Sequence, residues 1–553
     1  MKVIKLNIVS TIVYSAMLTS IVMTPWVNFD SLTILKFILV FSTGAFLIPY
    51  IWSNRKMLVA NRLLQFLSIL SFLIVLQLSL VLLFSGSPLT QQLFGRGGRA
   101  LGFITQISFI VIMLSASIYS QVTNKHKVVL GLIISSLISS VYSILQFLGL
   151  DIFNWTSRTN GIIGTLGNPN FQSSFAALAL IPTFLATYDK KSLIRKTFSI
   201  LSVMILVLTV YICESTQGYV ISFASVIILI LFKTKFSNIR LFILASISFS
   251  ILIIVSILGM LDKGLLASFL YKPSVTSRGE FWRSAIAAAN DNPLFGVGID
   301  SFADKYLLYR SPKDINGINE FADNAHNYFL EYAATGGYIL AILYSLLLIL
   351  ALMSIFKIFA RDKNVDNLSL ALLISWLCIQ MQSLISPGNI VIMLWNFVIT
   401  GTLIGLATKS PQHIENSQKD QKQKINYRIS SLSAIIAIII SIPYFQADRL
   451  QLQSLNLRDA ELAVSAAKMF PESSVRYTLI GLELRKSNLL QLSLDVGKSA
   501  VRFNPNSISG WSLIALNDFA TLIERNHALD QMIRLNPLDD KIKEYKKELN
   551  AVN

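Results

Sequence analysis

An all-α, polytopic helical membrane protein of about 12–13 transmembrane helices, carrying a C-terminal helical-repeat domain, is the fold class that three observations predict. Charged residues make up 14% and hydrophobic residues 53% of the 553, with a mean hydropathy of +0.60; an ordinary soluble domain carries roughly 25% charge. Apolar runs, most of 17 or more residues, recur from Ile8 to about Phe445. At about 1.5 Å per residue such a run nearly or fully crosses a hydrocarbon layer of about 30 Å. Beyond Phe445 the hydropathy falls and a local pattern recurs, with Pro471, Pro505 and Pro537 standing 34 and 32 residues apart.

Taken in order, the runs place 13 spans near residues 8–24, 32–51, 63–84, 101–120, 128–149, 171–187, 198–213, 219–232, 241–260, 337–357, 368–385, 391–407 and 429–445. The first run has no small-residue cleavage pattern and leads at once into further spans, so it reads as a retained helix. Basic clusters such as "SNRKMLVANR" (53–62), "DKKSLIRK" (189–196) and "KIFARDK" (357–363) fall in alternate loops. Such a Lys/Arg asymmetry marks cytoplasmic loops. The formal charge of +17 is therefore a topology signal, and no nucleic-acid partner is expected. Localisation is read as the cytoplasmic (inner) membrane, multi-pass, with the N-terminus cytoplasmic and the loops 85–100, 150–170 and 261–336 outside. Cys213 and Cys378 lie in or beside apolar runs, which makes a disulfide framework improbable.

Two domains follow: 1–445, the polytopic membrane domain with its large outer loop 261–336, and 446–553, an extracytoplasmic tail. Pro471, Pro505 and Pro537 each follow a basic-apolar helix end, at a spacing close to the tetratricopeptide period of about 34 residues. The tail resembles that repeat family, although its aromatic and glycine signature is incomplete. Paired helices stacked as a short solenoid are expected, with a plain helical cap on the membrane domain as the alternative.

No HExxH, zinc-type cysteine pair, Walker loop or complete dinucleotide fingerprint is present, so neither metal nor cofactor is expected. The outer loops offer arginine instead: Arg96 and Arg99 before the fourth span, Arg158 in the next outer loop, and Arg278, Arg283 and Arg310 in the long one. A guanidinium suits bidentate contact with phosphate and keeps its charge; each arginine could equally meet lipid head groups. Arg278 follows "PSVTS" and is expected to open an amphipathic helix over 280–290, where orphan amides would share an anionic ligand. His326 is one of only four histidines. An imidazole exchanges a proton near neutral pH, and Asp323, Asn324 and Asn327 stand beside it to orient the ring or hold a hydroxyl-bearing substrate. "GTLGNPNF" (164–171) reads either as a helix cap or as part of a site.

Together "GRGGRALG" (95–102), "GTLGNPNF", "SRGEFWRSAIAAANDNPLFGVGIDSF" (277–302) and "DNAHNYFLEYAATGG" (323–337) resemble the O-antigen ligase and polymerase superfamily, the Wzy_C or WaaL-like family, over roughly residues 67–406. The resemblance implies a metal-independent, inverting glycosyltransferase that uses a polyprenyl diphosphate-linked oligosaccharide outside the cytoplasmic membrane. It implies that Arg96 or Arg99, together with Arg278, neutralises the diphosphate. It further implies His326 as the base on an acceptor hydroxyl; Arg158, Arg283 and Asn327 are further substrate-binding candidates by their place in the outer loops. One departure stands out: where members commonly read serine-arginine-glycine, this chain reads "ESTQGY", with Gln217 in place of the arginine.

The acceptor stays open among glycan, lipid and protein, and the activity among polysaccharide polymerase, lipid A core ligase and protein O-oligosaccharyltransferase. A protein partner bound through the C-terminal repeats is conceivable. The competing class is a transporter or an envelope-assembly scaffold. It calls for ionisable residues within the spans, whereas the distinctive charges here were expected outside them.

Overall fold

The structure, a computed structural model, describes residues 8–120, 125–151, 153, 155, 161–188, 191–235, 239–260, 263–270, 273–312, 322–362, 365–408 and 425–552. Fourteen longer helices form its first part. They are α1 (Ile8–Ile21), α2 (Ile34–Ser53), α3 (Arg62–Phe84), α4 (Phe103–Ser120), α5 (Lys125–Phe147), α6 (Pro169–Thr187), α7 (Leu193–Ile212), α8 (Thr216–Lys235), α9 (Ile239–Met260), α10 (Pro273–Asp291), α11 (Tyr328–Arg361), α12 (Asn367–Ser383), α13 (Ile390–Ala407) and α14 (Tyr427–Leu457).

Among the described residues nine helices are long and apolar enough to cross a membrane, fewer than the 12–13 expected. The other four apolar runs are helical too. Two of them, α1 and α12, have 14 and 17 residues among those described, α1 beginning at the first described residue. The third, α6, buries Gln172, Ser173, Ser174 and Thr183 along its length, which lowers its apolar character. Only part of α9 is described at the side-chain level.

The bundle is organised around α13, in which all 18 residues are buried. Its Gly401 and Gly405 are the reason α4 can approach so closely: a Cβ there would stand 2.2 Å from the Met113 carbonyl oxygen and 2.4 Å from that of Ser117. Small residues at such a seam let two backbones pack where lipid offers no hydrophobic drive. Outward faces are apolar instead; Phe66, Ile69, Phe72 and Leu83 on α3 are all exposed. An apolar exterior over a serine-rich interior is the pattern of a helix bundle in hydrocarbon.

The loops divide between two ends. At one end lie the basic segments: Lys125 pairs with Asp366, and the Arg361 guanidinium donates to the Leu406 carbonyl at 3.0 Å. At the other end residues 30–33, 98–99, 166–168, 323–326 and 387–390 meet. The alternation of basic loops is thus matched by a spatial separation; which end is outside rests on the charge argument.

The long loop folds against the bundle through a kink in α11. Gly337 has φ +77°, and a Cβ there would stand 2.4 Å from the Leu294 carbonyl oxygen. The turns demanded by Pro293, Gly296 and Gly298 dock on that kink: the amides of Val297 and Gly298 donate to the carbonyls of Ala334 and Thr335 at 2.8 and 3.1 Å. From α3, Gln77 donates to the Leu294 and Gly336 carbonyls at 2.6 and 2.9 Å. Around this junction Phe281, Ala285, Phe302 and Tyr306 form a small core of their own.

Six further helices follow: α15 (Ala460–Lys468), α16 (Ser474–Lys486), α17 (Leu490–Phe503), α18 (Ile508–Ala515), α19 (Leu522–Leu535) and α20 (Asp540–Val552). Each packs on its sequence neighbour, around one core holding Tyr477, Ile480 and Val496 and another holding Leu494, Ile514 and Leu529. They are seated on the end that gathers the non-basic loops. Ser474 donates to the Gln91 side chain at 3.0 Å, and Asn504 to Asp304 at 2.9 Å.

Candidate functional site

Four helices begin at one cavity of ≈ 350 Å³. Its wall takes Thr33 and Lys36 from the start of α2, Asn168 and Phe171 from α6, Asn389 and Ile390 from α13, and His326 just before α11. Three of these N-termini are built locally by asparagine, whereas α2 starts after Thr33, which makes no side-chain cap. The side-chain oxygen of Asn168 accepts from the Asn170 amide at 2.8 Å, ahead of Pro169 in the first turn. Asn327 caps α11 through the amides of Phe329 and Leu330 at 3.0 and 3.1 Å, and Asn389 caps α13 through Val391 at 3.0 Å. Proline suits the first turn because its missing N–H is an orphan there anyway. Each helix start carries a partial positive charge, so the convergence of four favours an anion, against which the Asp30 and Asp323 carboxylates, also in the wall, must be set.

Two basic side chains join them. Lys36 lies within the first apolar turn of α2, is 2% exposed, and donates from Nζ to the Thr165 carbonyl at 2.5 Å. Arg99 is placed by the glycine-rich turn before α4, in which Gly95 and Gly98 have φ of +88° and +84°. Its guanidinium lies 3.4 Å from Asp300 and 3.7 Å from Asp323, and it donates to the Asp323 carbonyl at 3.3 Å. Burial alone would weaken its hold on the proton, but Asp300, Asp323 and Glu331 outweigh that and leave its pKa raised.

His326 occupies a left-handed turn at φ +53°, held by its own amide on the Asn324 side-chain oxygen at 2.6 Å. Its ring packs 5.2 Å, centroid to centroid, from Phe281 on α10. Burial is the main cause that lowers its pKa to about 4; Asp323 opposes the shift, and the charges of Arg278 and Arg99 add to it. The imidazole is thus neutral at pH 7, with cations on two sides.

The structure therefore puts His326 and Arg99 in the wall of one cavity, with Arg278 outside that wall but near enough for its charge to reach the imidazole. Arg278 stands close enough to act on His326, and its Nε is buried with no hydrogen-bond partner among the described residues. It does not open its helix, contrary to expectation: α10 begins at Pro273, so Arg278 sits in the second turn and the helix amides are not its partners. Arg96 turns away from the cavity to pair with Asp304 at 2.9 Å. Arg310 pairs with the buried Glu280 at 2.8 Å. Arg283 is exposed on α10, its guanidinium lying back toward Gly279. Asn327 is engaged in its cap and in donating to the Leu384 carbonyl at 3.0 Å. Arg158 lies outside the described residues. Gln217 is buried near Ser173, with both side-chain polar atoms unpaired among the described residues.

Sequence reasoning missed Lys36, Asp30, Gly388 and Asn389. A lone lysine inside "LTILKFILV" was a usable signal, since an ionisable residue in a span is functional by default.

Fold and site together define a multi-pass helical membrane protein with an anion-receptive polar cavity at one end, containing a neutral histidine. Residues 200–345 match the O-antigen ligase family (Wzy_C), so an O-antigen ligase-type domain is present in this stretch. It runs from α7 into the first half of α11 and contains Gln217, Arg278 and His326, while Lys36, Arg99 and Asn389 lie outside it. The match supports a glycosyltransferase or ligase-type role. No curated protein matches the chain.

Proposed function

We propose that the protein transfers or polymerises glycan from a polyprenyl diphosphate-linked oligosaccharide to an acceptor hydroxyl, at the outer face of the cytoplasmic membrane. One observation carries this reading: a single cavity joins four helix N-termini, Lys36 and Arg99 to a neutral imidazole, whose pKa the charge of Arg278 also lowers. The diphosphate takes the cationic wall, where Arg99, Arg278 and Lys36 neutralise the charge that grows on it as it leaves. Lys36 supplies the positive charge that Gln217 does not.

The acceptor oxygen bonds to the anomeric carbon from the face opposite the diphosphate, inverting that centre. The carbon–oxygen bond to phosphate breaks with its electron pair leaving on the diphosphate. His326 takes the acceptor's proton. A donor bearing two phosphates offsets the arginine charges that depress the imidazole, so donor binding strengthens the base just before it is needed. No cofactor enters this scheme.

Polymerisation is favoured over transfer to lipid A core or to protein because the six C-terminal helices are seated at the cavity's end, where they can organise a growing chain. We read these helices as tetratricopeptide-like, and as a surface for a protein partner. The test is transfer by purified protein from a polyprenyl diphosphate-linked repeat unit. H326A is expected to insert and fold normally yet lose turnover by about a hundredfold or more, the scale of general-base catalysis. Normal turnover in H326A would sink the base assignment, and no turnover in the wild type would favour a transporter or scaffold. Glycan analysis of a deletion strain separates the acceptors: single capped units indicate a polymerase, bare core a ligase, and unglycosylated protein a protein transferase.

A further inference from the structure

A second cavity of ≈ 330 Å³ lies beside the first, at the seam between the bundle and the C-terminal helices. Asp30 and Gly98 line both. They form the partition: Asp30 accepts from the Gly98 amide at 3.2 Å, and its own amide donates to the Asp448 carboxylate at 3.0 Å. On the far side stand Tyr444, Asp448 and Gln451 from α14, and Ser473 and Arg476 from the segment entering α16. Bundle and tail thus each supply part of the wall.

The chemistry of the second cavity differs from that of the first. Arg476 is 5% exposed; one terminal nitrogen holds the carbonyls of Met469 and Pro471, and its buried Nε has no hydrogen-bond partner among the described residues. A buried donor left unpaired is costly, and Arg476, through its other atoms, lines the cavity wall. Two carboxylates, Asp30 and Asp448, share the space with this one guanidinium, which disfavours a phosphate. Burial raises the Asp30 pKa, reducing its charge without making the cavity attractive to anions. Carboxyl, amide, hydroxyl and guanidinium groups beside the rings of Phe29 and Tyr444 suit a neutral ligand with many hydroxyls. The size lies within the range of about 300–1,000 Å³ typical of small-molecule sites.

We propose that this second cavity binds the saccharide of the acceptor and presents its next hydroxyl past Asp30 and Gly98 to His326. This rests on the glycan-transfer reading and adds to it that the acceptor is itself a sugar, held jointly by the bundle and the tail. The C-terminal helices then complete a binding site rather than merely cover one.

The test uses the full chain in nanodiscs and, as probe, the free oligosaccharide released by mild acid from the cell's own polyprenyl diphosphate-linked donor, with binding followed by saturation-transfer NMR. Leu479→Trp fills the cavity and Gln451→Ala removes a polar wall group; each is expected to weaken binding about tenfold or more. In turnover both raise the acceptor KM, while donor KM and kcat stay near wild type. H326A binds the oligosaccharide normally and fails to transfer. If Leu479→Trp lowers the melting temperature, Gln451→Ala decides. Oligosaccharide binding unchanged in Gln451→Ala, or absent from a wild type that turns over donor normally, overturns the second cavity and leaves the transfer reading standing. A wild type without donor turnover overturns the transfer reading instead.

Discussion

Replacing Lys36 by methionine tests whether the cavity was built for an anion. The lysine is 2% exposed, and its ammonium makes one hydrogen bond, to the Thr165 carbonyl at 2.5 Å. Methionine matches the stem in length and apolar character. Losing that bond destabilises the fold, while removing a buried amine relieves a desolvation penalty, so the net stability change stays within about 1 kcal/mol. Donor binding behaves differently. A hydrogen bond between an ammonium and a phosphate contributes about 1.5–3 kcal/mol, and about 1.4 kcal/mol is a factor of ten. K36M therefore lowers kcat/KM for the polyprenyl diphosphate-linked donor by roughly ten- to a hundredfold. The assay is initial-rate transfer by purified protein at subsaturating donor, beside a thermal melt in the same detergent. An unchanged kcat/KM with an unchanged melt would refute the role of Lys36, and a collapsed melt would make the lysine structural.

Other outcomes follow from the same geometry. R99M should lower donor kcat/KM by at least about tenfold, whereas R96M, whose partner is Asp304 rather than the cavity, should leave the kcat/KM of the folded protein within about threefold and instead lower its stability, by up to about 3–5 kcal/mol, because it strands a buried carboxylate; equal losses of kcat/KM in both would remove the distinction. The His326 pKa is lowered from 6.5 to about 4, so the acid limb of kcat/KM for the free enzyme should lie near pH 4 rather than 6.5. The same group favours folding fully above pH 6.5, and that contribution is lost as pH falls toward 4, because the unfolded chain takes up the proton first. Gly337→Ala forces a left-handed side chain against the Leu294 carbonyl and should destabilise the kink by at least about 1–2 kcal/mol; faster limited proteolysis between residues 291 and 302 reports it, and an unaltered digest would show that the kink does not hold the loop.

Much of this was legible in the linear chain, and the reasons are specific. Hydropathy located the apolar runs, and the basic loops anticipated which segments share an end. His326 and Arg99 stood out by rarity and by loop position. Arg96 could not be told from Arg99, because Gly98 turns the chain between them and sends one to Asp304 and the other to the cavity. Lys36 was hidden by the apolar residues around it, and Asn389 by a loop between α12 and α13 too short to read as a site. The helix start at Pro273 was misplaced because its first turn carries serine and threonine rather than an apolar face. The nine helices counted among the described residues fall short of 13 because α12 has only 17 residues and α6 carries several polar ones, while α1 is described only from residue 8 and α9 only in part.

The completely enclosed α13 has a consequence for how such a protein can diversify. Its first residues border the cavity while its other contacts are all with protein, so a side chain changed anywhere along it disturbs a neighbour helix. It is a fixed datum against which the site is measured. On the proposed glycan-transfer function, new sugar preferences would then arise by editing the turns around it, at residues 30–33, 97–99 and 323–326, and by exchanging the C-terminal helices, with the central post left as it is.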